Sequence, residues 1–322
     1  MTSSRSRHLV DPEVAGFLEL FPTTALSMET LPAMRARQLP LPVDPASVDS
    51  VDLVKRTVPG PHGAPDIELY VYTPRQGKGP RPCIFHIHGG GYVGGTAESM
   101  EGMLRPMAAE LDCIITSLNY RLAPETPHPG PVEDCYAALA WVFKNAAELG
   151  VDTARIGVRG ESAGGGLAAA LALLARDRGE YKLAFQSLTY PMLDDRTCLG
   201  EQHPYTGEYI WTPINNAFGW KSLLGVEPGS EGVSPYAAPA RAETLAGLPP
   251  TFITTGSLDL FLEEDLDYAR RLLRDGVPCE LHVYPGGFHA FDIAPTAAVS
   301  AVGWRHCPLP PIQGVRETLS PI

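Results

Sequence analysis

The sequence predicts an α/β fold: a mostly parallel, eight-stranded sheet flanked by helices. Three observations carry that expectation. From about residue 80 to 284, short apolar runs of strand length alternate with segments that are apolar at helical spacing. Parallel strands need a covering crossover, so such alternation reads as strand–helix–strand units. An antiparallel strand pair precedes them, and one strand-to-helix junction carries a serine between glycines. The length, 322 residues, is read as a single domain spanning 1–322.

Residues 1 to about 48 open with a helical pattern. Asp11-Pro12 suits an N-cap and first position, and Val14, Phe17, Leu18 and Phe21 share a face. A stretch broken by Pro22, Pro32, Pro40, Pro42 and Pro45 follows, and is expected to pack on another part of the chain. Val51 to Val58 and Ile67 to Tyr72 alternate as half-buried strands around a Pro-Gly-Pro-His-Gly turn. Pro82 to His88 is the next strand, ending in Gly89-Gly90-Gly91. A helix over Met103 to Glu110 and a strand over Cys113 to Leu118 come next, then a helix over Val132 to Leu149 that Gly150 stops.

Arg155 to Val158 enters the serine junction, and an Ala-rich helix leaves it. Leu183 to Tyr190 reads as the sixth strand. Regularity then lapses over 192–235, a stretch rich in Gly, Pro, Tyr and Trp. Thr251 to Thr255 and Cys279 to Tyr284 are strands flanking a helix over Glu263 to Arg274. The segments 1–48 and 192–235 are expected to form a helical cap, and 302–322 an irregular tail.

Composition limits the function classes. A formal charge of −12 without any basic run argues against nucleic acid and against an anionic membrane surface. No apolar stretch approaches the ~20 residues of a membrane span. Asp11, Glu13 and Glu19 interrupt any signal-peptide core, so a cytoplasmic location is expected. The six cysteines (83, 113, 135, 198, 279 and 307) lack ligand spacing and read as reduced thiols.

Chemistry gathers at Gly160-Glu161-Ser162-Ala163-Gly164. A Gly-x-Ser-x-Gly on a strand–turn–helix junction is the nucleophile elbow of an α/β-hydrolase. A serine hydroxyl attacks only when a base takes its proton and a third group orients that base. His289, in a glycine-rich loop after the last strand, is the candidate base. Asp259, just beyond the strand before it, is the candidate acid, ahead of Asp194, Asp195 and the helical Glu263, Glu264, Asp265 and Asp267. This gives the order serine, acid, histidine. His88-Gly89-Gly90-Gly91 supplies oxyanion donors from Gly90 and Gly91, joined by the N–H of Ala163. His86 and His88 alternate on one strand and read as core or loop-bracing groups rather than as a metal pair. No metal or cofactor is implied.

These motifs, with Tyr120-Arg-Leu-Ala-Pro-Glu125, Tyr190-Pro191 and Gly287-Phe-His-Ala-Phe291, resemble the hormone-sensitive-lipase-like carboxylesterases, bacterial family IV of the α/β-hydrolases. The resemblance spans about 80 to 295. It implies Ser162 as nucleophile, His289 as base, Asp259 as acid, and Gly90, Gly91 and Ala163 as oxyanion donors. It also implies a cap made from the two segments inferred above. Asp259-Leu260-Phe261 departs from the family's Asp-Pro-Leu, a change of loop stiffness more than of chemistry. The Pro-rich end, with Pro308, Pro310 and Pro311, predicts a shortened last helix.

The expected activity is hydrolysis of short- to medium-chain acyl esters through an acyl-enzyme. Phe17, Phe21, Tyr92, Trp211 and Phe218 are candidates for the substrate pocket, with packing of the cap as their other reading. An amidase or peptidase using the same triad is the alternative. A non-catalytic small-molecule receptor on this scaffold is a further one, although such proteins usually lose the histidine. An exposed edge at Glu280 to Tyr284 would offer a pairing surface for a homodimer.

Overall fold

The computed structural model describes residues 4–20, 24–37, 41–77, 79–199 and 203–293. Eight strands form one sheet in the order β1-β2-β4-β3-β5-β6-β7-β8. They are β1 (Val51–Val58), β2 (Ile67–Pro74), β3 (Arg81–Ile87), β4 (Ile114–Leu118), β5 (Val151–Glu161), β6 (Gln186–Thr189), β7 (Thr251–Gly256) and β8 (Cys279–Tyr284). Strand β2 runs antiparallel to both β1 and β4, and all pairs from β4 to β8 are parallel.

The helices are α1 (Phe17–Leu20), α2 (Leu31–Ala36), α3 (Pro45–Ser50), α4 (Glu101–Glu110), α5 (Gly130–Lys144), α6 (Ala146–Leu149), α7 (Ala163–Arg178), α8 (Pro213–Leu224) and α9 (Leu262–Arg274). The chain leaves β3 to one side to make β4 and returns to the other side for β5. That reversal opens a crevice at the carboxyl ends of β3 and β5, where open α/β sheets bind their ligands. The glycine loop leaves β3 at this crevice, and the serine junction leaves β5 at the same place.

The central helix α7 explains its own composition. Every residue from Ala163 to Ala175 is buried, so small side chains are needed where the helix presses onto β5 and α5. At the sheet edge, β8 is half exposed along its length.

Three local expectations change. The N-terminal pattern gives turns over 12–16 and only the four-residue α1. Asp11 does accept from the Glu13 N–H at 2.8 Å, but so short a run cannot repay helix nucleation. The segment instead docks, with the Asp11 N–H on the Gly286 carbonyl at 3.2 Å and Val14 buried. The helix expected over 132–149 is divided at Asn145 into α5 and α6, and Gly150 ends it at φ +71°. The irregular stretch contains α8, whose signals are explicit: Thr212 caps Asn215, Pro213 stands first, and Gly225 closes at φ +69°.

The N-terminal segment and the stretch around α8 hold one another. The Leu26 N–H donates to the Asn215 side chain at 2.8 Å, and the Ser6 N–H to Glu208 at 2.9 Å. Phe21 and the tail over 302–322 lie outside the described residues. No described helix is long and apolar enough to cross a membrane.

Candidate active site

Ser162 sits at the end of β5 with φ 58° and ψ −124°, a backbone state that is costly for a residue with a side chain. Three contacts hold it there. Its N–H donates to the Thr189 carbonyl at 2.9 Å, and its carbonyl accepts from Gly166 and Met192, both at 3.0 Å. Gly164 is glycine because of close approach: a Cβ there would lie 2.1 Å from the Ile87 carbonyl oxygen. The strand that launches the glycine loop and the helix that follows the serine are therefore in backbone contact.

Three side chains from three loops meet. His289 Nε2 lies 2.8 Å from Ser162 Oγ, and His289 Nδ1 lies 2.9 Å from Asp259 Oδ2. The other carboxylate oxygen of Asp259 accepts from the Phe261 N–H at 3.0 Å. Asp259 is fully buried, while Ser162 and His289 are 7 % and 5 % exposed. An acidic acceptor at Nδ1 keeps the proton on that nitrogen, so Nε2 is free to accept the serine hydroxyl. The imidazole is enclosed by the rings of Tyr190 (centroids 4.8 Å apart), Phe261 (5.3 Å) and Trp211 (6.2 Å).

The glycine loop lies beside the serine. Gly90 takes φ +122°, and its carbonyl accepts from Val93 at 3.2 Å and Gly94 at 2.9 Å. That tight turn leaves the Gly90 and Gly91 N–H groups without a protein acceptor among the described residues. Ala163 opens α7, where the first N–H groups have no acceptor within the helix. His88 braces the loop: Nδ1 is 2.8 Å from the Gly89 carbonyl, and the ring stacks on Tyr120 at 4.3 Å. Burial drives the His88 pKa down to about 4, so the brace is neutral at ordinary pH.

Directly beneath lies a buried polar chain that sequence reading did not assemble. His86 joins Ser117 Oγ through Nδ1 and Glu161 through Nε2, both at 2.8 Å. Arg159 donates to the other Glu161 oxygen and to Ser187 Oγ, each at 3.1 Å. Burial alone would raise the Glu161 pKa, but His86 and Arg159 outweigh it and the value is lowered.

Three of the competing acids, Asp194, Asp195 and Glu264, are engaged elsewhere. Asp195 is gripped by Arg241 at 2.6 and 2.8 Å, and Asp194 caps a short turn and pairs with Arg196. Glu264 accepts from the Leu193 N–H at 2.7 Å. His282 contacts Glu280 on β8 at 2.7 Å. Of the pocket candidates, Trp211 stands beside His289. Tyr92 is fully buried, its hydroxyl donating to the Met192 carbonyl at 2.9 Å and its ring against Trp220. Phe17 packs with the cluster of Val10, Val14, Leu258 and Phe288 behind the histidine loop, and Phe218 packs on the main core.

Residues 84–293 match a family described by the α/β-hydrolase fold. The chain is 35 % identical over 299 residues to the carboxylesterase NlhH of Mycobacterium tuberculosis, covering 91 % of this chain and 93 % of that one. It is 31 % identical to the arylacetamide deacetylase of Bos taurus, covering 75 % and 77 %. Among solved structures, a bacterial heroin esterase superposes with a TM-score of 0.84 at 41 % identity, covering 92 % of this chain and 95 % of that one.

Proposed function

Because the chain belongs to the α/β-hydrolases, in their hormone-sensitive-lipase-like branch, and is a carboxylic ester hydrolase, we propose a two-step acyl transfer at Ser162. The observation that carries it is the Ser162–His289–Asp259 chain, with contacts of 2.8 and 2.9 Å. Ser162 attacks the ester carbonyl as Nε2 of His289 takes its proton. The oxyanion rests on the N–H groups of Gly90, Gly91 and Ala163, each such donor being worth roughly 10²–10³ in turnover. The imidazolium, paired with Asp259, then protonates the departing alcohol, and water attacks the acyl-enzyme by the reverse route.

The substrate is a short- to medium-chain acyl ester in solution. A negatively charged chain without a described membrane-crossing helix supports that reading, as does the enclosure of His289 by Trp211. The segments 1–48 and 192–235 act as the cap, and the free edge of β8 pairs two copies as a homodimer. Kinetics across esters of increasing acyl length test the substrate class, and a preference for long chains overturns it. Covalent labelling of Ser162 by an organophosphate tests the nucleophile. The amide-named relative supports a second reading, amide cleavage by the same triad. Faster turnover of anilides than of matched esters would favour it.

A further inference from the structure

Tyr190 stands at the end of β6 in a conformation that a tyrosine rarely takes, with φ +35°. It is 2 % exposed, and its N–H donates to the Thr254 carbonyl at 2.6 Å. Strain of this kind persists only where the surroundings impose it. Here they impose a ring on a ring. The phenol lies against the imidazole of His289, centroids 4.8 Å apart and planes tilted by 60°. Its hydroxyl donates to Asp292 Oδ1. Asp292 lies three residues beyond His289 on the same loop, in the turn Phe291–Ile293, and Phe291 adds an edge contact to Tyr190 at 6.1 Å. The loop that presents the histidine therefore also grips the tyrosine that backs it.

We propose that Tyr190 and Asp292 form a clamp that positions His289 for proton transfer, with Asp292 anchoring the phenol and the phenol ring holding the imidazole plane. The Asp259 and Ser162 contacts hold the two ring nitrogens and leave the ring plane able to turn about the line between them. The Tyr190 ring packed against it, with Phe261 and Trp211 on other sides, restricts that turn. A displacement of about 1 Å at a reacting group can cost roughly 10²-fold in rate, so a partial loosening is felt as a smaller factor. Burial of Asp292 holds its carboxyl up at about 6, partly offset by the Tyr190 hydroxyl.

The clamp rests on His289 being the base, which His289→Ala tests separately: retained activity in that variant sinks the base and the clamp with it, whereas the variants below can sink the clamp while the base stands. The clamp is tested on Tyr190→Phe, Asp292→Ala, Asp292→Asn and the double Tyr190→Phe/Asp292→Ala variant, with melting temperatures recorded. Tyr190→Phe and Asp292→Ala are each expected to lower kcat about tenfold with KM unchanged. Phosphonylation of Ser162 by an organophosphate should slow by the same factor. Asp292→Asn keeps an acceptor oxygen and should restore most of the rate, while the double variant should be no slower than the worse single one. Unchanged kcat in both single variants, or losses that multiply in the double one, would overturn the clamp. If Asp292→Ala does not fold, Tyr190→Phe against Asp292→Asn carries the same comparison.

Discussion

Among the described residues the molecule contains two serine–histidine–carboxylate chains, and they stand in opposite settings. In Ser162–His289–Asp259 the contacts are 2.8 and 2.9 Å, and in Ser117–His86–Glu161 they are both 2.8 Å. The side-chain chemistry is nearly the same and the settings are opposite. Ser117 lies inside β4, in regular register with His86 on β3, and both are fully buried. Its carboxylate partner, Glu161, also holds Arg159. Ser162 stands at a strained turn beside glycines with N–H groups to spare, and its histidine comes from a loop beyond the sheet. Contact among the three groups therefore does not define a nucleophile. Access for a substrate and donors for its oxyanion do, and the inner chain has neither.

The largest expected effect separates the two serines. Ser162→Ala should lower kcat by roughly 10⁴–10⁶, since nothing else at the site can attack the carbonyl. Ser117→Ala leaves His86 Nδ1 without its buried partner, while Nε2 keeps Glu161, and should cost about 1–3 kcal/mol of stability, with little change in kcat per folded molecule. Ester hydrolysis and urea unfolding on both variants check this. A Ser117→Ala protein of normal stability and crippled turnover would erase the contrast.

A smaller effect tests what the inner chain is for. Arg159 is 1 % exposed and its charge faces Glu161. Neutralising one member of a buried ion pair weakens the compensation of the other, at up to about 3–5 kcal/mol, a large share of the ~5–15 kcal/mol that holds a domain folded. Glu161→Gln should therefore lower the urea midpoint sharply while folded protein keeps the KM of wild type. Should stability hold while kcat collapses, Glu161 belongs to the chemistry and the division between the chains fails.

The two chains also differ in how far they could be read from sequence. The Ser162–His289–Asp259 chain, the proposed triad, follows from chain order: a serine between glycines, an acid past one strand and a histidine past the next are visible in a one-dimensional string. The eight strands were legible for a similar reason, because buried parallel strands are near-continuous apolar runs such as Cys83 to Ile87. The inner chain depends on register, which sets His86 beside Ser117 on one side and Arg159 on the other, and no local pattern encodes that alignment. His86 read correctly as a core group without its partners being nameable. The helix α8 was missed although Thr212-Pro213 and Gly225 mark both its ends, because the aromatic residues around it mask its periodicity. The N-terminal pattern erred the other way. Its apolar face is real, but Val14, Phe17 and Leu18 pack it against Leu258 and Phe288 rather than along a continuous helix.

A third histidine sharpens the comparison with the smallest effect. His289, as the proposed base, would exchange a proton in every cycle, whereas His88 is kept neutral by burial, its Nδ1–H free to donate to the Gly89 carbonyl in either charge state. Burial is the main reason that its pKa falls from 6.5 to about 4, and the bond to the Gly89 carbonyl opposes that fall only in part. A folded-state value below the unfolded one contributes stability that is fully present above about pH 6.5. That contribution is lost as pH falls through 4. The difference between the two values corresponds to about 3 kcal/mol. His88→Phe keeps a ring to stack on Tyr120 and removes the titration. Its baseline stability should be lower, since the bond to Gly89 is gone, so the informative quantity is the slope. Between pH 6.5 and 4, unfolding free energy should fall less steeply in the variant, by up to about 1.4 kcal/mol per pH unit for the one proton no longer taken up on unfolding. Superimposable slopes in urea titrations across that range would mean that His88 is not held neutral by burial.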